Sequence, residues 1–161
     1  MAFADPLTEG IVDFIREIGL TVKPASLAMA TVLPGVAVAR GGLLVDAARL
    51  AWPGDLLHEA GHLAVCDPPA RPTLDTVGDE PGEEMAAIAW SYAAAKHLDV
   101  DPAVVFHEAG YRGGSQALIE AFATGGDVGV PMLEWFGMTL GRRTAAVRGK
   151  AAFPHMLRWL R

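Results

Sequence analysis

One cysteine, Cys66, stands in 161 residues. That excludes an intrachain disulfide and suits a reducing compartment. No apolar run approaches the roughly 20 residues that span a bilayer. The opening residues, Met1-Ala2-Phe3-Ala4-Asp5-Pro6, lack the basic and apolar regions of a secretory leader. Together these absences predict a cytoplasmic protein that does not enter a membrane. Charged residues are also sparse, at 20% against 52% apolar, which excludes a disordered chain. A mass of 17.0 kDa is that of one domain, residues 1–161, able to bury a proper core. No internal repeat is evident.

Acids are missing from one end. All 19 lie at or before Glu134, whereas residues 135–161 carry six Arg/Lys and one His. The first part therefore sums to −12 and the basic segment to +6. Two readings follow. The segment packs Phe153, Met156, Leu157, Trp159 and Leu160 against an acidic body, or it docks nucleic acid or an acidic partner. No nucleic-acid fold signature accompanies it, so nucleic acid is not an expected partner. Oligomeric state is not legible from the chain.

What is present begins with apolar Ile11, Val12, Phe14, Ile15 and Ile18 at helical spacing, closed by Gly19. Ala25–Thr31 reads as a turn of helix. Gly35–Arg40, Gly41-Gly42 and Leu43–Asp46 read as a β-hairpin with a Gly-Gly turn. Asp101-Pro102 opens a helix running to about Ala109, and Ser115 caps another through Ala123, ended by Gly125-Gly126. The fold class expected is α+β, mostly helical, with a small sheet or hairpin.

Midway along the chain lies His58-Glu59-Ala60-Gly61-His62, an HExxH motif. Residues i and i+4 share a helix face, so both imidazoles can address one cation, and the Glu beside the first His can reach a water on it. Zinc held this way acidifies its water, and the Glu accepts the proton as that water attacks a carbonyl. Asp55 after Pro53-Gly54 is the expected N-cap, and Pro68-Pro69 ends the helix near Cys66. Gly61 inside it costs on the order of 1 kcal/mol relative to Ala. It therefore marks a close approach, either of an element crossing the site or of a plain helix–helix contact.

Catalytic zinc takes three protein ligands and a water, so a third is needed. The places where a metzincin carries Gly and His hold Val65 and Pro68. A Glu from a second helix is the other pattern, and Gly82–Ala95 is strongly helical with Glu83 and Glu84 in its first turn. Acids there also suit the helix dipole. Glu84 shares a face with Ile88 and Tyr92, while Glu83 shares one with Ala87, Trp90 and Ala94, a bulkier surround for a metal. Glu84 is the expected ligand and Glu83 the alternative.

HEAGH, a proline-rich gap and Glu-x-x-Ala-x-x-aromatic on an Ala-rich helix resemble the compact bacterial metallopeptidases of the ImmA/IrrE type, a minimal gluzincin group. The resemblance covers about residues 34–97. It implies a zincin-like fold, zinc on His58, His62 and Glu84, and Glu59 as general base. Met85-Ala86 and Ile88 depart from the usual pattern of that family.

His107-Glu108-Ala109-Gly110-Tyr111 echoes the motif but carries Tyr in place of the second His, so it cannot form a second site. Tyr111 is the candidate donor to the oxyanion of hydrolysis, with Arg112 and His107 as alternatives; a partly buried structural His is the other reading of His107. Cys66, four residues beyond His62, either touches the metal or is a buried structural thiol. The irregular segment Cys66–Pro81 is expected to wall a cleft.

These observations predict a zinc peptidase, one zinc per chain, acting on a peptide or protein substrate. The competing class is a zincin-like scaffold that keeps the metal but serves as a regulatory or interaction module. A metal-free helical domain with a fortuitous HExxH is the third reading.

Overall fold

The computed structural model describes residues 3–161; Met1 and Ala2, part of the leader reading, lie outside them. Helix α1 (Pro6–Glu17) starts where Asp5 accepts the Thr8 N–H at 2.9 Å. Its spaced Ile11, Val12, Phe14 and Ile15 are all buried. The expected helical turn at Ala25–Thr31 does not form, and that stretch is irregular and largely exposed.

Three short strands make a mixed sheet in the order β1 (Val22–Pro24), β3 (Gly42–Val45), β2 (Val36–Ala39). β2 and β3 form the expected hairpin, but its turn is Arg40-Gly41 rather than Gly41-Gly42. Both turn residues have positive φ, 48° and 70°, which matches the twist of a two-residue hairpin. Gly42 instead pairs with Ala39 as the first residue of β3. β1 runs parallel to β3, pairing Val22 with Leu43. The hairpin packs on α2 (Asp55–Val65), the helix that carries the motif.

Helix α3 (Pro81–His97) is the centre of the molecule, with every residue from Ala86 to Ala95 buried. A helix apolar all round must be covered all round, and α1, α2, α4 (Pro102–Val105) and α6 (Val130–Trp135) do so. Its alanines permit a close crossing with α2. A Cβ on Gly61 would stand 3.0 Å from the Ala87 carbonyl and 3.3 Å from Ser91 Oγ and the Trp90 ring. Gly61 therefore marks the helix that crosses the site. Gly61→Val should lower unfolding free energy by about 2 kcal/mol, the range of core overpacking, because the obstacle is backbone and cannot yield. A urea titration showing no loss would place the two helices farther apart than this.

Two helices start or end differently from expectation for one reason. α4 stops after four residues instead of reaching Ala109, because the chain turns at Phe106 (ψ 64°) and sends His107 to Asp55. α5 (Ser115–Ala123) begins at Ser115, but its N-cap is Gly114. The Ser115 hydroxyl donates to the His107 carbonyl at 2.6 Å, tying the same loop down.

Helices α6 and α7 (Arg142–Arg148) were not anticipated. In the basic segment Phe153, Met156, Trp159 and Leu160 pack on the core, as expected, while Leu157 is exposed. The acidic body contributes the Glu134 carboxylate, which accepts from Gly141 N at 3.0 Å. Among the described residues no Arg or Lys of this segment makes an ion pair. Hydrogen bonds to main-chain carbonyls tie it down: the Trp90 indole Nε1 donates to the Trp159 carbonyl at 2.9 Å, and Arg161 N to Ala64 O at 2.9 Å. No helix among the described residues is long and apolar enough to cross a membrane.

Candidate metal centre

α2 has 11 residues, ends at the expected Cys66, and brings His58 and His62 to one face. Their Nε2 atoms are 3.2 Å apart. α3 starts at Pro81, one residue before the expected Gly82, with Glu80 as its N-cap accepting from Glu83 N at 2.8 Å. That cap leaves Glu84 facing α2. Glu84 Oε2 lies 2.8 Å from His62 Nε2 and Oε1 3.7 Å from His58 Nε2. Among the described residues His58, His62 and Glu84 are the group that could hold a metal ion, with one ligand atom from each within 4.8 Å of the others.

Donor chemistry and spacing fit a divalent cation. Ligand atoms of a tetrahedral zinc lie roughly 3.3 Å apart, given bonds of about 2.0 Å. Protonation fits as well. Burial, then the neighbouring His62, pushes His58 down to about 4, so it is a neutral imidazole at neutral pH. The hydrogen bond from His62 holds Glu84 below the usual carboxylate range. Neutral imidazole and ionised carboxylate are the ligating forms. Glu83 stands outside the group. Glu84→Ala should weaken zinc binding at least tenfold more than Glu83→Ala, read by competition with a chelating dye; a reversed order would move the third ligand to Glu83.

Glu59 follows His58 on α2 and lines the same cleft. Burial pushes its carboxyl up to about 7, against the pull of His62. A carboxyl tuned to neutrality beside a ligand cluster is suited to take and return a proton.

These opposed shifts set a pH signature for the metal-free fold. Glu59, raised in the folded state, makes stability fall as pH climbs from about 4.5 to 7. His58, lowered in the folded state, makes stability rise as pH climbs from about 4 to 6.5. The two offset each other over their overlap. In chelator, Glu59→Gln should therefore gain stability with pH over 4.5–6.5, by up to about 1.4 kcal/mol per unit, where the wild type is nearly level. Parallel urea midpoints for both proteins would contradict this.

The loop after α4 closes the other side. Tyr111 Oη lies 3.1 Å from His58 Nδ1, the ring nitrogen away from the ligand group. Burial, then the charges of Glu84, Asp55 and Glu59, pushes the phenol above its usual range, so it stays protonated. Tyr111 and Arg112 both hold positive φ, 55° and 52°, a strained form for side chains with Cβ atoms. Both line the cleft. His107 does not reach the centre. It is buried, with Nε2 2.8 Å from Asp55 Oδ1 and its ring stacked on Trp52 at 4.3 Å. Asp55, expected as N-cap, is thus the first helical residue, and Gly54 holds the cap position without a side-chain bond.

Cys66 also stays apart, its buried thiol donating to the Leu63 carbonyl at 3.1 Å. Arg71 was missed by sequence reasoning. It donates to Leu63 O at 2.7 Å and Ala64 O at 3.1 Å, satisfying the last carbonyls of α2. Nothing in a lone Arg among prolines signals such a role. The far half of the Cys66–Pro81 segment, Val77 to Asp79 and Pro81, does line the cleft.

Comparison with protein-family models, with curated proteins and with solved structures returned no match.

Proposed function

We propose that the chain is a zinc-dependent peptidase in which Glu59 activates the attacking water. The observation that carries this reading is the joint placement of His58, His62 and Glu84 around one point with the buried, neutral-tuned carboxyl of Glu59 beside them. Zinc on these three side chains would supply Lewis acidity toward the substrate carbonyl and the water. The protein's own groups do the rest. Glu59 accepts the proton from the water and is placed to return it to the leaving amine. Tyr111, protonated and set over His58, holds that imidazole in one orientation and is the candidate donor to the developing oxyanion. β2 is a free edge of the sheet, and Val32 and Leu33 on the segment leading into it line the cleft. An unpaired edge of this kind can hold an extended peptide by main-chain pairing.

The test is cleavage of a mixed peptide library by zinc-loaded protein, with chelator-treated protein alongside. Cleavage that disappears with the metal and returns with zinc is the expected result. A protein that binds one zinc, cleaves nothing, and captures one partner would be a scaffold instead.

A further inference from the structure

The cleft has two lobes that meet at the metal centre and share Val32, Leu33, His58, Glu84, Tyr111 and Arg112. Beyond those six their walls differ in chemistry. One lobe, about 400 Å³, is floored by Trp52 and the Asp55–His107 pair. The other is about 1020 Å³ and is walled by Ile88 of α3, Leu118 and Ala121 of α5, and Val128. Ile88 lies one helical turn from Glu84, so this apolar wall begins at the ligand group itself. Its charged side chains away from the centre are Asp79 and Arg112, both exposed. A charged substrate residue set against Ile88, Leu118, Ala121 and Val128 would lose hydration there without gaining a charged partner from that wall.

We infer that the α5-side lobe is the specificity subsite of this centre and that it selects peptides with a large apolar side chain beside the cleaved bond. This rests on the peptidase reading for the cleaved bond and for the metal on His58, His62 and Glu84, while the side-chain preference of the lobe needs the metal alone to be tested. The size of the lobe, at the upper end of small-ligand sites, fits a segment of several residues rather than one side chain. The second lobe, continuing past the centre, gives the chain on the other side of the bond a place to lie. The substrate class is therefore an internal, apolar stretch of polypeptide.

Hydroxamates test this without requiring turnover, since the hydroxamate group binds zinc and an attached side chain probes the lobe. Acetohydroxamate, which needs only the metal, should bind zinc-loaded wild type. Leucyl and phenylalanyl hydroxamates should bind at least about tenfold more tightly than alanyl and aspartyl ones, the discrimination usual for an apolar pocket. Ala121→Trp, which fills the lobe, should erase that preference while zinc content and acetohydroxamate binding persist. Leu118→Lys, at a half-buried site, should shift preference toward the aspartyl compound, and covers the case in which Ala121→Trp does not fold. Equal affinities for all four side chains, with acetohydroxamate binding intact, would overturn the subsite alone. Failure of acetohydroxamate to bind would remove the metal centre and the subsite with it.

Discussion

Wild type should carry about one zinc per chain, and His58→Ala and His62→Ala should each leave the purified protein without stoichiometric zinc. A protein zinc site contributes on the order of 10–16 kcal/mol in total. One ligand's share is then roughly 3 kcal/mol, a loss of about a hundredfold or more in affinity. The two imidazoles are not interchangeable in the fold. His62 is 4% exposed with Nδ1 buried and unpartnered, while His58 gives its Nδ1 to Tyr111. His62→Ala should therefore perturb folding more, because it empties space between α2 and α3. Exposed His155 supplies the control, and its replacement should change nothing. Folding offers a second readout. Zinc at a hundredfold excess over its dissociation constant adds about 2.7 kcal/mol to stability, and neither variant should show that gain. Full zinc content in both variants would remove the metal centre.

What the chain disclosed beforehand depended on how local the cause was. The HExxH helix was legible to within a residue because its start, stop and face are all set by neighbours in sequence: Pro53-Gly54, Pro68-Pro69 and the i,i+4 spacing. The place of Glu84 beside the two imidazoles was legible for the same reason, through the helical face it shares with Ile88, which lines the same cleft. Long-range causes were not. Asp55 reads as an N-cap locally, yet it is claimed by His107, 52 residues away. That one bond also explains the early end of α4, because it draws His107 out of the helical path. β1 escaped notice because three residues including Lys23 and Pro24 carry no alternating pattern, and its register comes wholly from β3. The basic segment packs four of its five expected apolar residues on the core, with only Leu157 left exposed. What composition does not disclose is where its guanidinium groups go: Arg158 donates to Phe136 O at 2.7 Å and Arg142 to Gly125 O at 2.9 Å.

In the proposed reaction the proton acceptor is Glu59. Glu59→Gln should keep the fold and the zinc but lose peptide cleavage by on the order of a hundredfold or more, the usual contribution of a positioned general base. Glutamine preserves shape and can still hydrogen bond, so it removes only the capacity to take a proton. That capacity is what the fold has tuned, since burial brings the carboxyl up to about 7. A cation on the neighbouring ligands would draw this value down, as any nearby positive charge does for an acid. The base is then ionised at neutral pH in the loaded protein and close to half-protonated in the empty one. Glu59 is not needed as a ligand, because His58, His62 and Glu84 already supply three. Zinc affinity should therefore change by less than about threefold, well below the loss expected for a ligand. Tyr111→Phe makes an informative companion. It removes the hydroxyl that faces His58 at 3.1 Å and leaves Glu59 in place. A tenfold to hundredfold fall in zinc affinity in that variant would make Tyr111 chiefly a support for His58. An unchanged affinity with slowed cleavage would make it the oxyanion donor. Zinc-dependent cleavage at full rate in Glu59→Gln would overturn the mechanism whatever Tyr111 does.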